Sequence, residues 1–186
     1  MINRNSFLRF ILICLLGIIY PSFKSLNEEK KLPKILILGD SISIGYFPFI
    51  EKLLVGKADI RRPMLPNGGF ENCGGTSKAL KHIYNWIGET NWDLIHFNFG
   101  LHDIKHVNPI NGKNSNSFND PHQASPEQYE DNLEKIVKIL KKTGAKLIFA
   151  TTTPYPNSKL KPARKPGMHK TYNQIALGVM KKHKVK

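Results

Sequence analysis

The stretch Ile35-Leu36-Ile37-Leu38-Gly39-Asp40-Ser41 indicates the fold to expect for this chain of 186 residues. Four consecutive apolar residues without alternation are typical of a central strand in a parallel sheet, which is buried on both faces. Gly39 ends the run, so Ser41 lies at a strand-to-helix turn, where its hydroxyl can be exposed at the edge of the sheet. The motif alone is weak, because Asp40 and Ser41 could simply cap the next helix.

The sequence on either side of this stretch alternates between strand and helix patterns. Further strands are predicted at 58–62, 92–100 and 145–153, and helices at 46–55, 77–89 and 169–183. The clearest helix has Ser125 as its N-cap, Pro126 in its first position, Gln128 completing a capping box and Gly144 at its end. This order predicts one three-layer α/β/α domain, a flavodoxin-like sandwich with a parallel sheet, over residues 33–186.

The first 26 residues have the pattern of a targeting segment. Arg4 and Arg9 precede an uncharged apolar run of eleven residues at 10–20, which is short for a membrane span. We expect a cleaved signal peptide or, alternatively, an uncleaved N-terminal anchor, followed by a charged linker at 27–32. The protein is therefore expected to be secreted, periplasmic or bound to the cell envelope, with membrane contact only through this segment.

Composition narrows the classes of function. The chain has 28 Lys and Arg against 14 Asp and Glu, a formal net charge of +14, and only five of the basic residues are Arg. Nucleic-acid binding is not expected, because Arg is scarce and no aromatic-basic interleaving is present. Solvated Lys-rich faces explain the charge, and attraction to an acidic glycan or an anionic surface is the alternative. With two cysteines and scattered histidines, no metal site or cofactor is expected.

Three polar turns are predicted at the same edge of the sheet, where ligands bind in folds of this class. They are Gly39-Asp40-Ser41 after the first strand, Asn72-Cys73-Gly74-Gly75-Thr76 before a helix, and Gly100-Leu101-His102-Asp103 after the third strand. The turn after the strand at 145–153 belongs to this edge too. In this order, the three turns resemble the first three blocks of the SGNH (GDSL-like) hydrolase family, from about residue 32 to the end.

The resemblance implies a serine ester hydrolase that needs no cofactor. Ser41 would be the nucleophile, and the backbone N–H groups of Ser41 and Gly74, or Gly75 as the alternative, would bind the oxyanion. His102 stands where the family usually has Asn and would give the third donor, because a neutral imidazole still donates one N–H. Two carboxylates would support the site: Asp40 and Asp103. The implied substrate is a small-molecule or glycan ester, with an O-acetylated carbohydrate favoured.

The general base is the part of the pattern that the sequence does not supply. The family takes it from a C-terminal Asp-x-x-His after a fifth strand, and we find neither, so we expect a missing C-terminal strand and impaired activity. Asp103 and His106 spell Asp-x-x-His in a loop, but a triad there is not favoured. His122 and His169 are expected on the surface, and His96 is expected to pack against a helix.

Three hypotheses follow from the missing base. The first is an esterase that is truncated before its catalytic histidine. The second is a non-catalytic SGNH-like module that binds a glycan or an ester. The third is a basic protein that associates with surfaces.

Overall fold

A computed structural model describes residues 31–186 of the protein. Leu32–Lys186 forms one compact unit. The predicted signal peptide or anchor at 1–26 and most of the linker at 27–32 lie outside the described residues and stay predictions.

The centre of the unit is a parallel sheet of four strands in the order β2-β1-β3-β4. The strands are β1 Lys34–Leu38, β2 Asp59–Arg61, β3 Leu94–Phe97 and β4 Lys146–Phe149. The apolar run that opened the sequence analysis is β1, which pairs with β2 on one side and β3 on the other. The predicted parallel α/β fold is confirmed.

In the part of the chain that the structure describes, four helices connect the strands and a fifth follows β4: α1 Ser41–Leu53, α2 Thr76–Ile87, α3 Leu101–Ile104, α4 Pro126–Lys141 and α5 Met168–His183. The predicted start of the first helix at residue 46 is wrong by five residues. The Asp40 carboxylate accepts the N–H of Ile42 at 2.9 Å, so the helix begins directly after β1 and continues through Pro48. No helix within 31–186 has the length and apolar character needed to cross a membrane.

Helices cover one face of the sheet more completely than the other. Leu36 and Leu38 point into the main core, together with Ile95 and Phe97, beneath helices α2, α4 and α5. On the opposite face, α1 covers a smaller core of Ile37, Phe47 and Ile60. Helices therefore lie on both faces, as a three-layer arrangement requires.

The thinly covered face leaves an apolar groove of about 500 Å³ across β1 and β3. His96 lines this groove and is half-buried, and burial lowers the pKa of its imidazole. At the outer edge of β4, the Phe149 N–H donates to the Lys186 carbonyl at 2.7 Å. The last residue thus pairs with the edge strand.

Candidate active site

The turn after β1 presents Ser41 at the edge of the sheet. Ser41 is the first residue of α1 and is exposed, and its hydroxyl makes no hydrogen bond to any residue within 31–186. The turn beneath it is fixed, because Asp40 Oδ1 accepts the Ile42 N–H at 2.9 Å and Ser43 Oγ donates to the Asp40 carbonyl at 2.6 Å. The positive end of the helix dipole therefore lies beside a free serine hydroxyl.

A buried arginine ties this turn to the next one. Arg62 is only 4% exposed, and its Nη1 donates to Ser43 Oγ at 3.1 Å. Its Nη2 donates to the carbonyl oxygens of Gly39 at 3.4 Å and Glu71 at 3.0 Å. Two aromatic rings lie 5.6 and 5.4 Å from the guanidinium carbon: Phe47 and Phe70. Sequence analysis missed Arg62, because a single arginine after a short strand has no motif to mark it.

The second turn holds the two glycines predicted as oxyanion donors. Gly74 is buried with a φ of +67°, a left-handed conformation that favours glycine. Its N–H donates to Asn72 Oδ1 at 2.9 Å. For Gly74 to donate to a substrate oxygen, the Asn72 side chain must turn away or share the proton. Gly75, the alternative donor, is buried directly before α2.

The third turn brings His102 next to Gly74. A Cβ built on Gly74 would lie 4.0 Å from His102 Nδ1. Burial lowers the pKa of His102, and the charge of Lys105 lowers it further, against the opposing effect of Asp40. His102 is therefore neutral near pH 7, which is the form that donates one N–H and accepts at the other nitrogen.

Asp103 connects the third turn to the second. Its Oδ1 accepts the N–H of Thr76 at 2.8 Å and the Thr76 hydroxyl at 2.6 Å, so it anchors the start of α2 beside the glycine pair. Burial raises the pKa of Asp103 to about 6, against the opposing effect of these hydrogen bonds. Its Oδ2 is buried without a hydrogen-bond partner among residues 31–186, which fits a carboxyl that readily keeps its proton.

A fourth turn, after β4, completes the edge. Asn98 Nδ2 donates to the Ala150 carbonyl at 2.7 Å. Thr152 and Asn173 exchange two hydrogen bonds of 2.8 and 2.9 Å. The first, third and fourth turns border a small, partly open cavity of about 70 Å³, which is lined by Asp40 and Ile42 on either side of Ser41 and by Ser43, Tyr46, Asn98, Leu101, Ala150, Thr151, Thr152 and Thr153.

No histidine within 31–186 contacts the Ser41 hydroxyl. The His106 Nδ1 pairs with the carbonyl of Asp120, whereas Asp103 bonds Thr76, so Asp103 and His106 do not form the Asp-His pair of a triad. The His122 Nδ1 pairs with the Ile104 carbonyl at 2.6 Å.

The predicted surface positions of His122 and His169 are wrong, because both rings are half-buried. The His122 ring packs 4.4 Å from the His106 ring and 5.9 Å from the Tyr172 ring, measured between centroids. The ring of His169 packs against Tyr155. Across 31–186, no cluster of three or more His, Cys, Asp or Glu side chains is arranged to hold a metal ion.

The sheet, its strand order and the turns along one edge define a parallel α/β protein with an exposed serine directly after the carboxyl end of β1. No protein-family model matches the sequence, and no curated protein matches it either. Solved structures do match. An acetyl xylan esterase, AlAXEase, is 14% identical over 82% of this chain and 75% of its own, with a TM-score of 0.59.

Two further structures match to a similar degree. A lipase/acylhydrolase from Enterococcus faecalis is 18% identical over 83% of this chain and 74% of its own, with a TM-score of 0.60. A GDSL-like lipase from Bacteroides thetaiotaomicron is 11% identical over 82% and 65%, with a TM-score of 0.57. The chain has the fold of the GDSL-like (SGNH) acylhydrolases, and the fold implied by the three turns is confirmed.

Proposed function

We propose that the protein is a serine ester hydrolase of the SGNH type in which Ser41 is the nucleophile. The observation that carries the proposal is the free Ser41 hydroxyl at the first residue of α1, on the sheet edge where Gly74 and His102 meet. The structural neighbours support it, since they include an acetyl xylan esterase and a lipase/acylhydrolase.

The mechanism is acyl transfer through a covalent serine ester. Ser41 Oγ attacks the ester carbonyl and loses its proton to a base. The backbone N–H of Ser41, that of Gly74 or Gly75 and the ring N–H of neutral His102 stabilise the tetrahedral oxyanion. Losing one such donor typically lowers the rate about 100- to 1000-fold. The alcohol leaves with a proton, and water then releases the acid and regenerates Ser41.

The cavity beside Ser41 favours a short acyl group. Its volume of about 70 Å³ is close to the size of an acetyl group, and the two chain neighbours of Ser41, Asp40 and Ile42, line it. Ile42, Leu101 and Ala150 give it apolar walls that suit a methyl group. We therefore propose an O-acetyl ester as the reacting group, carried by a carbohydrate or another small alcohol.

The surroundings of Ser41 favour a second candidate function. A serine hydroxyl is a poor nucleophile without a base, and no histidine within residues 31–186 makes a hydrogen bond to Ser41. A non-catalytic module that binds an ester or glycan at the same edge would need only the pocket. The truncation before a catalytic histidine stays a prediction.

Acetate release separates the two candidates. Wild-type protein, Ser41→Ala and the exposed control Ser117→Ala are compared on 4-nitrophenyl acetate and acetylated xylan oligosaccharides. A hydrolase gives acetate release above buffer that Ser41→Ala abolishes and Ser117→Ala retains. Binding of the oligosaccharide with wild-type release equal to that of Ser41→Ala supports the binding module. Neither binding nor release contradicts both.

A further inference from the structure

Two cations, Lys105 and Arg164, lie close enough to His102 and to each other for their charges to interact. The half-buried Arg164 donates from Nε to the Leu101 carbonyl at 3.0 Å, so its guanidinium is held against α3, the helix that carries His102. The His106 N–H donates to the Ala163 carbonyl at 2.9 Å. That backbone bond places the segment of Lys105 beside the segment of Arg164.

Neither cation forms a direct ion pair with a carboxylate in the described part of the chain. Among residues 31–186, no carboxylate lies within 4.0 Å of Lys105 or Arg164. Burial lowers the pKa of both side chains, and the charge of Arg164 lowers that of Lys105 further, against the opposing charges of Asp103 at Lys105 and of Asp40 at Arg164. Two half-buried like charges without a carboxylate in contact cost free energy that a bound anion would offset.

The neighbouring charged groups already have other hydrogen-bond or ion-pair partners. Lys78, the third cation near His102, lies 3.1 Å from Glu71 and donates to the Asn72 carbonyl at 2.7 Å. Asp40 caps α1, and the buried Asp103 bonds Thr76. Lys105 and Arg164 are therefore the cations at this edge that remain open to an external anion.

The loop that carries Arg164 extends the positive surface. Residues 154–167 contain Lys159, Lys161, Arg164 and Lys165 and no acidic residue. An open cavity of about 660 Å³ lies along this loop, with Tyr155, Asn157, His169 and Lys170 among its lining residues. That volume falls within the range of ligand sites, about 300 to 1,000 Å³. The loop therefore offers space for a sugar residue in a positive field.

We propose that Lys105 and Arg164 form an anion-binding subsite beside Ser41, and that the substrate is an acylated glycan with a carboxylate close to the ester. The proposal rests on the proposed function and specifies its substrate class. The planar guanidinium of Arg164 suits a carboxylate, which can accept two parallel hydrogen bonds, and Lys105 adds a point charge. The subsite positions the sugar, and the acyl transfer to Ser41 and then to water is unchanged.

A kinetic test compares acidic and neutral glycans. Acetylated polygalacturonate and acetylated mannan are given to wild-type protein, Arg164→Gln and Lys142→Gln, an exposed lysine after α4 as the charge-matched control. We expect kcat/KM to favour the acidic glycan in wild type. In Arg164→Gln the acidic-to-neutral ratio should fall roughly 10- to 100-fold, the size expected for one charge-assisted hydrogen bond, and Lys142→Gln should keep it. An unchanged ratio in Arg164→Gln overturns the inference.

A binding test is independent of turnover. Ser41→Ala protein is titrated with galacturonate oligosaccharides and with mannan oligosaccharides by calorimetry, alone and combined with Arg164→Gln or with Lys105→Gln, at low and high salt. We expect tighter binding of the acidic ligand, weakened by either substitution and by salt. If circular dichroism shows that Arg164→Gln does not fold, the binding measured with Lys105→Gln tests the subsite instead.

A failure of the anion-binding subsite and a failure of the proposed esterase activity give different results in these two tests. Equal or absent binding of the two oligosaccharides overturns the anion subsite, while Ser41-dependent hydrolysis of 4-nitrophenyl acetate would still support the esterase. Selective binding of the acidic ligand with no Ser41-dependent hydrolysis keeps the subsite and refutes the esterase.

Discussion

Arg62 shows how one buried side chain can set the geometry of a site without entering it. Its guanidinium bonds to the turn that carries Ser41 and to the segment that leads into Gly74, through Ser43 and the carbonyls of Gly39 and Glu71. Two of the three guanidinium nitrogens make these hydrogen bonds, whereas Nε is buried without a partner among residues 31–186. The nucleophile turn and the oxyanion turn are thus fixed relative to each other by one residue.

Replacing Arg62 by Met keeps the volume and removes these hydrogen bonds. We expect Arg62→Met to lose about 2 to 4 kcal/mol in the free energy of unfolding, since Ser43 Oγ and the Glu71 carbonyl each lose a hydrogen bond from a charged donor, whereas the Gly39 carbonyl keeps the Cys73 N–H. The neighbouring exposed residue is the matched control: Arg61→Met breaks only its surface pair with Asp59 and should cost less than about 1 kcal/mol. Urea denaturation measures both. Equal losses of unfolding free energy in Arg62→Met and Arg61→Met would contradict a structural role for Arg62.

Asp103 makes a pH-dependent contribution of known sign. Its pKa is raised to about 6 in the folded protein, so between its ordinary value and pH 6 the native state holds a proton that the unfolded chain has lost. Stability therefore falls as pH rises through this window, by at most about 3 kcal/mol. Asp103→Asn keeps an acceptor for Thr76 and removes the titration.

We expect the unfolding free energy of Asp103→Asn to rise relative to that of wild type as the pH increases from 4 to 7, as measured by urea denaturation at each pH. The exposed substitution Asp131→Asn serves as control and should show no such gain. A difference between Asp103→Asn and wild type that stays constant with pH would contradict the buried, protonated carboxyl.

At the scale of single helices and strands, the starts of two helices show how far local sequence predicts structure. Helix α4 begins where it was predicted to begin, since Ser125 Oγ accepts the Gln128 N–H at 3.2 Å. The reciprocal half of the predicted capping box is replaced, because the Ser125 hydroxyl donates to the Glu127 carboxylate at 2.7 Å. Helix α1 was misplaced, because Asp40 caps it within the very motif that marks the nucleophile.

Removing the cap of α4 tests this account. Ser125→Ala should destabilise the protein by about 1 kcal/mol, the usual cost of losing an N-cap side chain. Ser158→Ala, in a loop, should have no measurable effect on the melting temperature. A Ser125→Ala protein that melts like wild type would mean that tertiary packing of α4 alone fixes its start.

At the scale of the whole molecule, the order of strand and helix patterns was enough to predict the parallel sheet. Contacts between side chains from distant segments could not be predicted from the sequence. Arg164 bonds Leu101, 63 residues away, and Asn132 reaches Thr76, 56 residues away. Such pairs depend on the packing of helices against the sheet, and local propensity contains no information about them.

The uneven cover of the sheet predicts self-association. An apolar groove of about 500 Å³ and a β4 edge that pairs only through Phe149 are both hazards for aggregation. We expect sedimentation velocity to show oligomers that grow with protein concentration. Leu94→Lys, inside the groove, should reduce them, whereas Leu177→Lys, exposed on α5, should not. A monomer at every concentration would contradict this expectation.

The most direct test of the central claim, that Ser41 is a nucleophile at the sheet edge, is covalent labelling by a fluorophosphonate followed by peptide mapping. A serine hydroxyl activated at this edge forms a single adduct on Ser41, which is lost in Ser41→Ala and retained in Ser158→Ala. Folded protein that stays unlabelled, or that is labelled at another serine, would contradict the assignment of Ser41 as the nucleophile.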